Sequence, residues 1–142
     1  MLKCEIINKA DKPTAISAPM YMSKVAAGFP SPADDFMDHP LDLNNFLITK
    51  PASTYFVKVS GDSMIGAGIY AGDILIVDRS LPAKDNQIVV ASIDGEFLVK
   101  RLKMYKESVF LISENSQFAP IEVKDQDLQV WGVVTYNIHA PN

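Results

Sequence analysis

Cys4 is the only cysteine, so no internal disulfide can form, and a reducing cytosol is the expected compartment. The histidines number two, His39 and His139. With one cysteine they make no zinc-binding set, and no metal site is expected. His39 precedes a proline and His139 stands close to the end of the sequence, so both are expected to be exposed. Basic charge is scarce as well: 13 Lys and Arg stand against 17 Asp and Glu, for a net charge of -4. A protein that grips DNA needs a positive footprint to displace counterions. Direct DNA binding, sequence-specific or not, is therefore not expected, and any link to DNA runs through another protein. The opening MLKCEIINKADKP holds no continuous apolar stretch of signal-peptide length. No window approaches the roughly 20 apolar residues of a membrane span. These absences lead to the expectation of a soluble, cytoplasmic protein without a membrane partner.

What is present suits one folded domain. The chain has 142 residues, of which 48% are hydrophobic and 21% charged, enough for one ordinary core. Residues 1 to 40 differ from the rest. Pro13, Pro19, Pro30, Pro32 and Pro40 punctuate them, which forbids a long helix because each proline lacks a donor and restricts its predecessor. The segment reads as an extended, mobile arm or as an irregular N-terminus. In LDLNNFLITKP, Asp42 suits an N-cap, Leu43, Phe46 and Leu47 share one helical face, and Pro51 is a stop.

Strand signals dominate beyond that point. TYFVKVS alternates, with Tyr55, Val57 and Val59 on one side, and DILIVD is apolar on both faces. QIVVASI and EFLVKRL flank Asp94-Gly95, a hairpin signal. SVFLIS and LQVWGVVTY complete about six strands, the pattern of a compact, mainly-β domain with one short helix and an extended arm.

One serine stands apart. Ser63, in VSGDSMIGAG, lies on a turn between two strands. Gly61 permits a sharp bend there, after which the N–H groups of Asp62 and Ser63 can converge on a developing oxyanion. The same string also fits a simple Asx turn. A nucleophile needs a base, and neither histidine suits. Lysine is the other known activator of serine. It must be neutral, which burial among apolar groups favours. Strand alternation puts Lys100 on one face with Leu98 and Leu102, opposite Phe97, Val99 and Arg101. Lys58 is the rival, with Phe56 and Ser60 on its face, while Lys103 and Lys106 fall in a polar turn. Periodicity equally allows Lys100 to be a snorkelling strand-end residue.

Together these stretches resemble the LexA/UmuD family of self-cleaving serine–lysine proteins. SGDSM matches the family's nucleophile at Ser63, EFLVKRL its lysine at Lys100, and AAGFPSPADDF its scissile region at Ala27–Gly28. STYFVKVSGDSM and WGVV extend the likeness over nearly the whole chain. The resemblance implies a catalytic Ser63–Lys100 dyad with no cofactor, in a β-rich peptidase domain spanning 41–142 behind an arm spanning 1–40. It implies self-cleavage stimulated by a RecA filament on single-stranded DNA. It further implies homodimers whose cleaved form, starting at Gly28, joins a UmuC-type Y-family polymerase for translesion synthesis.

Other functions fit less well. A LexA-type repressor needs a DNA-binding domain before the scissile bond, and 27 proline-broken residues are too few for one. A signal peptidase is expected to carry a membrane anchor. The non-enzymatic alternative is a β-rich polymerase-accessory module with a vestigial dyad.

Overall fold

The computed structural model describes residues 3–9, 17–21, 37–123 and 128–142, with side chains from residue 40 onward. The expected scissile pair, Ala27 and Gly28, and Pro30 and Pro32 beside it, lie outside the described residues.

The described chain begins with β1 (Lys3–Lys9), β2 (Ser17–Tyr21) and β3 (Met37–Asp42), followed by α1 (Leu43–Leu47), the one α-helix among the described residues. Strands β4 (Thr54–Ser60), β5 (Ile74–Asp78) and β6 (Ile88–Ile93) come next. Then follow β7 (Glu96–Tyr105), β8 (Ser108–Ile112), β9 (Ile121–Val123) and β10 (Leu128–Ile138). One antiparallel sheet runs in the order β1-β4-β5-β10-β6-β7-β8-β9. A further bridge, Lys3 to Leu98, brings β1 back against β7. β2 and β3 form a separate two-stranded ribbon. The fold is mainly β, as the alternating runs predict.

Local chemistry explains several of these elements. Asp42 caps α1 by accepting a 2.9 Å hydrogen bond from the Asn44 amide. The helix ends at Leu47, and Pro51 opens a 3-10 turn instead of closing the helix. Asp94 and Gly95 have φ values of 50° and 84°, the two positive angles of a type I′ turn, and Ile93 pairs with Glu96 across it. β10 passes so close to β5 that a Cβ on Gly132 would lie 2.5 Å from Val77 Cγ1. Only glycine fits there without movement, at a bulge between Val130 and Gly132.

Two apolar clusters make the core. The first gathers Val57, Val59, Met64, Leu75, Val77, Val90 and Val99, and the second Val89, Ala91, Leu98, Leu102, Leu111 and Val133. Successive residues of β6 and β7 go to opposite clusters, the consequence of a two-residue side-chain period. The ILIV of DILIVD is apolar on both faces, and β5, which lies between β4 and β10, is buried from Leu75 to Asp78.

The sequence reading assigned no strand to the first residues. Lys3–Lys9 nevertheless pairs antiparallel with β4, from Lys3 opposite Ser60 to Lys9 opposite Tyr55. The pairing joins segments some fifty residues apart, which local pattern does not report.

Candidate active site

Ser63 follows the end of β4. Gly61 takes φ 88°, the left-handed conformation expected of the bend, and the turn runs into a 3-10 segment, Ile65–Ala67. Asp62 and Ser63, the expected oxyanion donors, lie in this turn. Ser63 and Met64 are both fully buried. Met64 belongs to the first core cluster and accepts hydrogen bonds on its carbonyl from the Ala67 and Ile69 amides, 3.0 and 3.2 Å away. The residue after the serine is thus a core anchor for the turn.

Three contacts tie the turn to the chain beyond β8. The Gly66 amide donates to the Glu114 carbonyl at 2.7 Å. Asn115 Nδ2 donates to the Asp62 carbonyl at 2.9 Å. The Glu114 amide lies 3.4 Å from Met64 Sδ, a weak acceptor.

Lys100 sits in mid-β7 and is 1% exposed. Leu98 and Leu102 flank it on its face, and Val89 faces it across the β6 ladder. Burial holds its ammonium pKa below the ordinary lysine value, because desolvation penalises the charged form. Nζ donates a 2.5 Å hydrogen bond to Ser113 Oγ, and the half-buried Phe118 ring lies 5.5 Å away. The snorkelling arrangement is therefore not the one adopted. Arg101, on the opposite face, pairs with Glu114 and donates to the Asn86 carbonyl.

Ser113, Glu114 and Asn115 are consecutive. The first receives Lys100, and the other two hold the turn that carries Ser63. Both sequence candidates thus converge on one three-residue segment, which the sequence reading did not single out. Ser113 directly follows Ile112, the last residue of β8, which pairs with Arg101 of β7, and no local pattern in the sequence marks it.

The rivals are elsewhere. Lys58 is exposed, and Lys103 is bonded to Asn86. The His39 side chain lies outside the described residues. His139 is exposed, as expected, but its Nδ1 lies 2.6 Å from the buried Asp73 carboxylate, an engagement the sequence reading missed. Among the described residues no group of three or more His, Cys, Asp or Glu side chains is placed to hold a metal ion. None of the helices described is long and apolar enough to cross a membrane.

Such a site has the parts for acyl transfer: a hydroxyl on a pinned turn, backbone amides beside it, and a lysine whose charged form is disfavoured by burial. Comparison with known proteins agrees with that chemistry. The sequence profile described as "Peptidase S24-like" matches residues 19–135. Protein SamA of Salmonella typhimurium strain LT2 is 39% identical over 134 residues, covering 94% of each chain. Protein ImpA of Escherichia coli is 41% identical over 122 residues, covering 85% of this chain and 83% of its own. The LexA repressor of Xylella fastidiosa strain M23 is 44% identical over 113 residues, covering 79% of this chain and 53% of its own.

Proposed function

The chain belongs to the S24-like peptidase family, and from that premise we propose that it is a self-cleaving serine peptidase of the SOS response, with Ser63 as nucleophile and Lys100 as general base. The observation that carries this reading is the burial of Lys100 against the segment that also pins the Ser63 turn. A lysine in that position sheds its proton more readily than one in water.

The chemistry then follows in order. Neutral Lys100 takes the Ser63 hydroxyl proton as Oγ attacks the Ala27 carbonyl carbon. The amides of Asp62 and Ser63 hold the oxyanion. Lys100 returns the proton to the Gly28 nitrogen as the peptide bond breaks, and water then hydrolyses the Ala27 ester on Ser63. Small residues on both sides of the bond let the main chain enter a tight site. Pro30 and Pro32 bias Phe29 and Ser31 towards the extended form that such a site accepts. No cofactor takes part.

In this UmuD-like reading, residues 1–40 are the arm that carries the bond and 41–142 the peptidase domain. A RecA filament on single-stranded DNA stimulates cleavage in the cytoplasm. The protein is a homodimer, and its fragment from Gly28 joins a UmuC-type Y-family polymerase in error-prone translesion synthesis.

The test is incubation of the purified protein with activated RecA filament, read by intact mass. A fragment starting at Gly28 is expected from the wild type and none from Ser63→Ala or Lys100→Ala, each checked for folding by circular dichroism. Normal processing of Ser63→Ala would sink the nucleophile assignment. An intact wild-type chain under the same conditions would leave the non-catalytic polymerase-accessory module, its dyad vestigial, as the better reading.

A further inference from the structure

We propose that Ser113 is a positioning residue for the general base, accepting a Lys100 N–H so that the amine lone pair is aimed at the Ser63 hydroxyl; this rests on the Ser63–Lys100 reading above. The observation is the 2.5 Å hydrogen bond from Lys100 Nζ to Ser113 Oγ, inside a site where Lys100 is 1% exposed.

The need for such a residue follows from what surrounds the lysine. Its stem lies among Leu98, Leu102 and Val89, none of which can accept a hydrogen bond. A neutral amine has two N–H donors and one lone pair, and it rotates freely about its last C–N bond unless an acceptor fixes it. A serine hydroxyl has two acceptor lone pairs and one donor. Ser113 directly follows Ile112, the last residue of β8, which pairs with Arg101 of β7, so the β7–β8 hairpin brings it beside Lys100. Glu114, its neighbour in sequence, is itself held by the Gly66 amide and by Arg101. Ser113 is therefore fixed from both sides, and one Nζ proton is fixed with it.

Ser113 has a second, opposing influence. A hydroxyl accepts a stronger hydrogen bond from an ammonium than from a neutral amine. It thereby stabilises the charged lysine and works against the burial that lowers its pKa. Orientation and basicity can therefore be separated by experiment. Without the hydroxyl, the base is neutral at lower pH but poorly aimed. A residue that only packs would move neither quantity in this paired way.

The experiment measures the first-order rate of self-cleavage of the full chain against pH, without RecA, for the wild type, Ser113→Ala, Ser113→Thr and Ser63→Ala. For Ser113→Ala the alkaline plateau is expected to fall on the order of tenfold to a hundredfold, the scale of a misplaced reacting group. The midpoint of its pH profile is expected to move to lower pH. Ser113→Thr, which keeps the hydroxyl, is expected to restore most of the plateau and the wild-type midpoint. Urea unfolding of each variant shows that the comparison is between folded proteins. A plateau unchanged in Ser113→Ala, or one that falls without any shift in midpoint, overturns the positioning role. Cleavage by Ser63→Ala would instead overturn the dyad reading beneath it. A fluorophosphonate probe supplies an independent readout. It is expected on Ser63, and labelling of Ser113 would make that serine the nucleophile and remove it as a positioning group.

Discussion

Gly66 lies directly against Glu114: its amide donates a 2.7 Å hydrogen bond to the Glu114 carbonyl, and a Cβ on Gly66 would stand 2.6 Å from that same oxygen. The obstacle is backbone, which cannot swing away as a side-chain end can. Any side chain at 66 must therefore push the Ser63 turn away from the segment that receives Lys100.

Gly66→Ala is accordingly expected to lose about 1–3 kcal/mol of stability, the usual cost of overpacking. Under the proposed Ser63–Lys100 reading its cleavage rate should fall further than the stability loss explains, because the turn moves relative to Lys100. Asn115→Ala removes the bond to the Asp62 carbonyl without adding bulk, and should reduce the rate with a smaller stability loss. Urea unfolding and rate measurement on both variants check this. Wild-type rates in both would show that Ser63 is not held in place through residues 114 and 115.

Removal of the arm should expose an edge. β1 pairs with β4 from Lys3–Ser60 to Lys9–Tyr55, while among the residues whose side chains are described both core clusters are built from positions beyond 56. A chain starting at Gly28 is expected to fold, since it keeps both clusters. It also leaves the β4 edge unpaired, a template for another strand. Amide exchange along Tyr55–Ser60 should quicken in the truncated chain, with β5 and β10 little changed. Unchanged protection of β4 would show that β1 contributes no edge cover in solution.

Legibility in the sequence followed the range of each interaction. The Asp94-Gly95 turn could be read because its determinants are two adjacent residues that accept positive φ. Lys100's apolar surroundings could be read because alternation in one strand sets the face of Leu98, Lys100 and Leu102. Ser113 could not be singled out, since its meeting with Lys100 depends on the β7–β8 register, set by the reversal at Lys106 and Glu107. β1 was missed for the same reason on a longer scale. Asp73 and His139 lie 66 positions apart and meet only because β5 and β10 pair.

That last contact predicts an acid limb in the stability. Burial pushes the Asp73 carboxyl pKa up, but hydrogen bonds from the Tyr70 amide, His139 and Asn137, with the charge of His139, outweigh it and hold the pKa below its ordinary 3.8. A carboxylate depressed in the fold stabilises above its unfolded pKa, and the contribution is lost as pH falls through the folded value. Asp78 acts in the same direction: burial raises its pKa, and hydrogen bonds from Ser80 and Ser53 with the charge of Lys50 together outweigh it and lower the pKa. Asp73→Ala leaves the Tyr70 amide without its acceptor and should cost about 1–3 kcal/mol at neutral pH. The gap from wild type should narrow well below pH 3.8, where Asp73 is protonated in both states. Urea midpoints at the two pH values decide it, and a constant gap would show that the charge of Asp73 plays no part.

Lys100 should leave the opposite signature, on the alkaline side. Its folded pKa is lowered by burial, while the unfolded chain titrates near 10.5. Between those values the unfolded chain holds a proton that the folded one has released, so stability rises with pH through that window. Below it the fold bears the whole cost of a buried ammonium. Lys100→Met keeps most of the side-chain volume and removes the charge. At neutral pH it should stabilise the fold by about 1–4 kcal/mol, the range seen when buried charges give way to apolar side chains. The Ser113 hydroxyl loses its donor in that variant, which offsets about 1 kcal/mol of the gain. The alkaline rise in stability should disappear, and so should self-cleavage. A more stable and inactive protein is what a site that holds strain for catalysis predicts. If Lys100→Met were instead less stable than wild type at neutral pH, the ammonium would be a net asset to the fold. Burial would then not be the force that readies Lys100 to take a proton.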